Sequence, residues 1–313
     1  MSESKTPKVA VVGSLNIDYF TRVETLPAPG ETVSSDQLNL FRGGKGANQA
    51  IAAHRQDCKV RMFGALGDDE AGTRYRKALE EEGLDVAGVK VVPGSTGAAF
   101  ITVDRKGENM IVTAGCANDT LTRGDVKKYA ARIESSDALL MQFEIPTSVI
   151  IEAARLANRK NIPVIVNASP FLPTFPWQDI RTDYLIVNQW EASELLEFDP
   201  MTEEISTVLG RMHELRIEHL IVTRGVDETL VYRRSDDPLE IPTLPVLPID
   251  TVGAGDAFAG CFAARIAGGE DLELALQAAN CAGALTTLGA GAQNPIPDRV
   301  KVDRHLEHLT QNA

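Results

Sequence analysis

The chain has 313 residues and a net charge of −13, from 31 Lys and Arg against 44 Asp and Glu. With 43% hydrophobic residues this is the composition of a globular protein, and the acidic balance without a basic block argues against nucleic acid or membranes as partners. The four cysteines are widely spaced and lack a C-x-x-C pair, which argues against a disulfide framework or a zinc site. No apolar run approaches the ~20 residues of a membrane span, so we expect a cytoplasmic protein.

The first predicted element is a buried β-strand over residues 8–13 (KVAVVG), a β-branched run that ends in glycine. Asn16 and Asp18 follow it and alternate with apolar residues, so an extended segment points both polar side chains to the same face. An amide and a carboxylate on one face can bind adjacent hydroxyls of a sugar. The alternative is a pair of turn-forming residues at a strand end.

Two segments, at about 15–42 and 97–113, predict short strands around turns instead of alternating strands and helices. We expect them to pair as one small β-sheet over the main body. Such a sheet is a lid that covers a site and excludes water from it.

Residues 43–50 (GGKGANQA) lead from glycines into a helical pattern. The glycines let backbone N–H groups approach a ligand closely, and Lys45 and Asn48 share one helical face because they are three residues apart. The stretch is not a Walker A loop, and no G-x-G-x-x-G follows the first strand. A flexible glycine turn before a surface helix is the alternative explanation.

Strand and helix patterns alternate regularly from Thr122 onward, which predicts a mostly parallel sheet with helices on both faces. Ligands bind such sheets at the carboxyl ends of the strands. We find no repeat or linker that would split the chain, so we expect one domain over residues 1–313. The polar or flexible residues at the predicted strand ends are Glu144, Asn167, Asn188, Glu191, Thr223 and Gly225.

Some of these strand-end residues have ordinary explanations as well as functional ones. Asn188 and Glu191 fit a helix capping box, and they also fit a place near nucleotide phosphates and a hydrated Mg²⁺. Glu144 fits either a surface acid or a sugar ligand.

The stretch at 249–258 (IDTVGAGDAF) predicts a glycine turn that leads into a helix. The unpaired N–H groups of a helix N-terminus and the helix dipole favour an anion. Asp256 beside such a site can accept the proton of a hydroxyl that attacks phosphorus. A glycine-rich turn with an acid in the first helical turn is the alternative.

Taken together, the two glycine-rich stretches resemble the signatures of the ribokinase-like carbohydrate kinase family, also called the PfkB family. GGKGANQA at 43–50 looks like the first signature and DTVGAGDAF at 250–258 like the second, about 200 residues later. The resemblance extends over essentially the whole chain through GSLNID at 13–18, PGETV at 29–33, STGAAFITVDRKGEN at 95–109, MQFEIP at 141–146 and NQWEASEL at 188–195.

The resemblance implies a ribokinase-like α/β fold with a mostly parallel central sheet, helices on both faces and a small β-sheet lid. It implies Asp256 as catalytic base and the N–H groups of Gly253, Ala254 and Gly255 as an anion hole for the transferring phosphoryl group. By the same resemblance, the sugar would be held by Asn16, Asp18, Gly44, Lys45, Asn48, Glu144 and Asp256. The nucleotide would be held by Asn188, Thr223, Gly225, Gly255 and Asn280.

The resemblance also implies ATP as co-substrate, Mg²⁺ linked through water to Glu191, and K⁺ as a monovalent activator. The K⁺ would be held by Asp250, Val252, Thr286, Gly289 and Gly291. Pro295 stands where the family often has a small hydroxyl residue near that cation. A homodimer through the lid is a further expectation from the family.

The implied activity is transfer of the γ-phosphoryl of ATP to the primary hydroxyl of a small sugar, with D-ribose giving D-ribose 5-phosphate as the leading hypothesis. Another sugar or a nucleoside is the nearest alternative, because Phe100 could stack on a ring. A sugar-binding regulatory protein without catalysis is the alternative from a different class.

Overall fold

The buried run that opens the chain becomes an inner strand of a nine-stranded sheet. The protein is seen in a computed structural model that describes residues 6–234 and 237–311. The strands of this part of the chain are β1 Lys8–Val12, β2 Asn16–Arg22, β3 Leu38–Gly43, β4 Lys59–Gly67, β5 Asp85–Val92, β6 Gly97–Val103, β7 Asn109–Ala114, β8 Ala138–Gln142, β9 Val164–Asn167, β10 Thr182–Asn188, β11 Ile217–Arg224, β12 Asp227–Arg233 and β13 Leu239–Ile241.

The helices cover both faces of the large sheet, as the strand–helix alternation predicts. They are α1 Lys45–His54, α2 Glu70–Glu82, α3 Arg123–Lys128, α4 Ala130–Ile133, α5 Thr147–Arg159, α6 Gln189–Leu196, α7 Ile205–Glu214, α8 Ala254–Ala267, α9 Leu272–Thr286 and α10 Arg299–Gln311.

The large sheet has the strand order β13-β12-β11-β10-β9-β8-β1-β4-β5. Neighbouring strands run parallel from β11 to β5, and only β12 and β13 pair antiparallel at one edge. Strands such as β8 and β9 are buried along their whole length, because helices cover both faces of a parallel sheet. The carboxyl ends of β1, β8, β9 and β10 therefore meet at one edge of the molecule.

A smaller sheet has the order β3-β2-β6-β7, with β2 parallel to β6 and the outer pairs antiparallel. The predicted fold class, a mostly parallel sheet between helices together with a small second sheet, is confirmed. The division of the chain into one domain with a lid stays a prediction.

Helices α1 and α8 pack closely against each other on one face of the large sheet. Gly260 of α8 permits this, since a Cβ there would lie 2.3 Å from the backbone oxygen of Gln49 in α1. Phe262 is fully buried in the same layer, and burial of a phenylalanine contributes roughly 1.5–3 kcal/mol. The two helices carry the glycine-rich stretches at their N-termini, so their contact brings the two stretches together. No helix in the described part of the chain is both long enough and apolar enough to span a bilayer.

Candidate active site

Asp256 lies in the first turn of α8 and is 7% exposed. Gly253 precedes the helix with φ of 81°, a conformation that favours glycine, and a Cβ at this residue would lie 2.7 Å from the oxygen of Ala292. The N–H of Ala254 makes only a long bond of 3.3 Å to Thr251 O. The first turn of α8 therefore directs N–H groups and a carboxylate towards the same region.

A cleft of about 700 Å³ opens between the small sheet and the carboxyl ends of the strands. The small sheet contributes apolar side chains such as Ile101 and Ile111 to its wall. All seven residues predicted to bind a sugar line this cleft: Asn16, Asp18, Gly44, Lys45, Asn48, Glu144 and Asp256.

Glu144 accepts several hydrogen bonds at the end of the cleft that lies next to β1 and β8. Its Oε2 accepts from Ser14 Oγ at 2.5 Å and from the backbone N of Lys45 at 3.2 Å. Asn16 Nδ2 approaches the same oxygen at 3.5 Å. Glu144 is therefore a partly buried, oriented carboxylate, and the interpretation as a plain surface acid is wrong.

The amide of Asn16 is fixed by Asn118, a buried residue that the sequence analysis did not select. Asn118 Nδ2 donates to Asn16 Oδ1 at 2.8 Å, and Asn118 Oδ1 accepts from Leu15 N at 3.0 Å. Because the oxygen of Asn16 is used in this way, its NH₂ group is the part that can donate into the cleft.

The cleft concentrates charge in a region that water reaches poorly. Burial, together with the charges of Glu144 and Asp256, raises the pKa of Asp18 to about 7, and Lys45 opposes this rise. Burial disfavours the charge on Lys45, but the surrounding carboxylates, with Asp256 first, outweigh burial and raise its pKa. One ammonium group thus faces three carboxylates, an arrangement that can orient several sugar hydroxyls.

A second cleft, of about 380 Å³, shares the N-terminus of α8 with the first. Four of the five residues predicted to bind the nucleotide line it, namely Thr223, Gly225, Gly255 and Asn280. The amide protons of Asn280 are donated to the backbone oxygens of Ile241 and Pro242, so this residue shapes the wall of the cleft. The walls are otherwise largely apolar, which suits a flat base.

Asn188 does not line the second cleft, but it is the cross-strand neighbour of Thr223, which does. Its Oδ1 accepts from the backbone N of Glu191 at 2.8 Å, and Glu191 Oε2 accepts from Asn188 N at 2.9 Å. The capping box is therefore formed. It uses only Oε2 of Glu191, so the second carboxylate oxygen is not needed by the cap and fits a water-mediated contact to Mg²⁺.

The residues predicted for K⁺ come from the loop before α8, from the end of α9 and from the loop after α9. Asp250 Oδ1 accepts from Val252 N at 3.0 Å, and Asp250 Oδ2 accepts from Gly291 N at 3.0 Å. Thr286 donates its hydroxyl to Ala282 O inside α9. Gly289 packs on Pro295, since a Cβ at this glycine would lie 2.7 Å from the Cβ of Pro295. Asp250 thus ties the loop before α8 to the loop after α9.

Two clefts that meet at a carboxylate and a helix N-terminus define a phosphotransferase acting on a small molecule. Residues 6–299 match the pfkB family carbohydrate kinase model. A ribokinase of Haemophilus influenzae is 34% identical over 303 residues, covering 96% of this chain and 98% of its own length. A ribokinase of Bacillus subtilis is 33% identical over 298 residues, covering 95% of this chain and 99% of its own length.

The structure of an Arabidopsis thaliana ribokinase complexed with ribose and ATP is similar to this fold with a TM-score of 0.87 and 29% identity. That similarity covers 96% of this chain and 99% of the Arabidopsis chain. The chain belongs to the pfkB family of carbohydrate kinases. The predicted resemblance and the predicted enzyme class, a phosphotransferase with an alcohol group as acceptor, are both confirmed.

Proposed function

We propose that this protein is an ATP-dependent ribokinase that transfers the γ-phosphoryl group of ATP to the primary hydroxyl of D-ribose, in the cytoplasm. The observation that carries the proposal is the position of the first turn of α8. Gly253 and Asp256 line the first cleft, which holds the predicted sugar residues, while Ala254 and Gly255 line the second, which holds most of the predicted nucleotide residues. A single helical turn therefore joins both clefts. The full-length similarity to ribokinases supports ribose as the sugar.

In the proposed reaction Asp256 accepts the proton of the sugar's primary hydroxyl as that oxygen attacks phosphorus. The N–H groups of Gly253, Ala254 and Gly255 stabilise the charge on the transferring phosphoryl group. The remaining predicted sugar residues orient the other hydroxyls, with Asn16 and Lys45 as donors and Asp18 and Glu144 as acceptors. The assigned sugar residues are Asn16, Asp18, Gly44, Lys45, Asn48, Glu144 and Asp256.

On the nucleotide side, the proposal assigns Asn188, Thr223, Gly225, Gly255 and Asn280 to ATP. Bound Mg²⁺ would neutralise the phosphates, and Glu191 would hold it through water. Glu191 contributes a negative charge that helps to raise the pKa of Lys45 in the sugar cleft. This position fits a role near the phosphates.

We also propose K⁺ as an activator, held by the two loops that Asp250 joins. Its ligands would come from Asp250, Val252, Thr286, Gly289 and Gly291. Because α8 begins directly after the first loop, a cation there would fix the start of the helix and the amides that face the phosphate.

The outer face of the small sheet supports the proposal of a homodimer through the lid. One row of paired residues crosses all four strands, from Leu40 through Tyr19 and Phe100 to Val112. Leu40, Phe100 and Val112 are each at least half exposed, at 58%, 50% and 58%. Monomeric proteins rarely leave such a contiguous apolar patch in water, so a second copy of the sheet is its proposed cover.

The experiment that tests the function is an ADP-release assay with D-ribose, another pentose and adenosine as acceptors, with K⁺ or Na⁺ as the monovalent ion. We expect D-ribose to give the highest kcat/KM and K⁺ to raise the rate. Faster turnover with adenosine would favour the nucleoside alternative. Ribose binding without ADP release for any acceptor would favour a regulatory protein.

A further inference from the structure

Two chains of buried amides converge on Asp256, and each holds one of its carboxylate oxygens. Gln49 Nε2 donates to Asp256 Oδ1 at 2.9 Å, and Asn48 Nδ2 donates to Oδ2 at 2.9 Å. Behind them stand two more glutamines. Gln142 Nε2 donates to Gln49 Oε1 at 2.6 Å, and Gln293 Nε2 donates to Asn48 Oδ1 at 2.9 Å.

Each chain has a fixed direction. An amide whose oxygen already accepts a hydrogen bond must turn its NH₂ group the other way. Gln142 therefore helps to determine which end of the Gln49 amide faces Asp256, together with Asn167, whose Oδ1 accepts from Gln49 Nε2 at 3.0 Å. Gln293 acts in the same way on Asn48. All four residues are buried, so water does not compete with these contacts.

The two outer glutamines leave a buried oxygen without a protein partner. Gln142 Oε1 and Gln293 Oε1 have no hydrogen-bond partner among the described residues. A buried polar atom without a partner is unfavourable and points to a role other than stability. Gly13 makes room for the Gln142 amide, since a Cβ on that glycine would lie 1.9 Å from Gln142 Oε1.

We propose that Gln142 and Gln293 are positioning residues that hold Asp256 as an oriented carboxylate through Gln49 and Asn48. Neither glutamine lines the sugar cleft or the nucleotide cleft. Neutral amides stabilise the negative charge through N–H dipoles without forming an ion pair, so the carboxylate keeps lone pairs for the incoming hydroxyl. This inference rests on the proposed role of Asp256 as base.

Other ionisable groups also act on Asp256, and the test leaves them unchanged. They are Asp18 on β2, Lys45 on α1 and Tyr75 on α2, with Glu144 next to the first two. Tyr75 also contacts the second amide chain, because Gln293 Nε2 lies 2.6 Å from its hydroxyl oxygen. Substitution at Gln142 is therefore the cleaner test, since Gln142 contacts no ionisable side chain in its chain of amides.

The experiment compares Gln142→Met and Gln142→Glu by kcat and KM for D-ribose from pH 6 to 9. Gln142→Met removes the donor, and we expect kcat to fall on the order of 10- to 100-fold with KM changed far less. The carboxyl group that Gln142→Glu introduces can still donate to Gln49 when it is protonated, whereas its ionised form cannot. We therefore expect the kcat of Gln142→Glu, relative to wild type, to fall as the pH rises, because burial raises the pKa of the introduced carboxyl group above its ordinary value.

Gln56→Met is the matched control, because Gln56 is a buried glutamine with two hydrogen-bond partners, Pro297 O and Arg265, outside the site. We expect its kcat to match wild type. If Gln142→Met does not fold, Gln293→Met and Gln293→Glu are compared in the same way, because Gln293 holds the corresponding place in the second chain of amides.

The proposal is overturned if the folded variants keep kcat within twofold of wild type at every pH. Asp256→Asn is measured alongside them. If that variant keeps its turnover, Asp256 is not the catalytic base and the proposed mechanism is wrong. If Asp256→Asn is inactive while the glutamine variants behave like wild type, only the positioning role is wrong.

Discussion

The substitution Asp18→Asn should stabilise the sugar-free protein while it weakens sugar binding. Asp18 is 8% exposed, and its carboxyl group has a pKa of about 7 because of burial and the nearby carboxylates of Glu144 and Asp256. An ionised carboxylate is therefore unfavourable in the empty cleft. Asparagine has nearly the same shape and no charge, so the substitution removes the unfavourable buried charge.

The size of the effect follows from the difference between a pKa of about 7 in the folded protein and 3.8 for an ordinary aspartate. Between these values the folded state binds a proton that the unfolded state has lost, so stability falls as the pH rises and the loss is complete above pH 7. The full loss in free energy of unfolding is about 4 kcal/mol, and about 3 kcal/mol of this loss occurs between pH 5 and pH 8.

The assay is urea denaturation of the sugar-free protein at pH 5, 6, 7 and 8. We expect the free energy of unfolding of Asp18→Asn to rise relative to wild type by about 3 kcal/mol over this series. Asp36→Asn, at an exposed site between β2 and β3, serves as control and should give a flat difference. A flat difference for Asp18→Asn as well would refute the electrostatic account of the cleft.

Four further predictions concern other parts of the site and surface. Asp256→Asn should retain D-ribose binding in calorimetry but lose on the order of 10²-fold or more in kcat. Glu191→Gln should keep the cap and the free energy of unfolding, but raise the Mg²⁺ concentration for half-maximal rate about tenfold. Phe100→Glu should convert the proposed homodimer to a monomer in light scattering, without loss of the folded circular dichroism spectrum. Cys116 should react with a thiol reagent within minutes in the native protein, while the other three cysteines, which are buried, should react only on unfolding.

The fold could be predicted because its signals are local. Buried strands such as β8 and β9 are short apolar runs in the sequence, and glycine turns such as the one at Gly253 precede helices whose composition is helical. The same local signals located Asp256 and Lys45, since each stands in the first turn of a helix after a glycine-rich turn. The order of the strands in the sheet could not be predicted from these local signals, because it depends on contacts between distant segments.

The amide chains around Asp256 could not be predicted in this way. Gln49 is adjacent to Asn48 in a predicted helix, where a glutamine is an ordinary helix former. Gln142 is the last residue of a buried strand, and Gln293 lies in a loop. Their roles depend on contacts across 93 and 245 residues of sequence. The one available signal was the polar amide of Gln142 at the end of a strand whose pattern predicts burial.

The three acids of the sugar cleft affect both the stability of the sugar-free protein and its affinity for a sugar. Asp18, Glu144 and Asp256 face one ammonium group, so the empty cleft carries more negative charge than Lys45 can neutralise. Sugar hydroxyls would donate hydrogen bonds to these carboxylates and so replace the water that burial removes. Ribose binding should therefore favour the ionised form of Asp18 and release a proton below pH 7. The same charge that destabilises the empty protein becomes a source of affinity for a polyhydroxylated substrate.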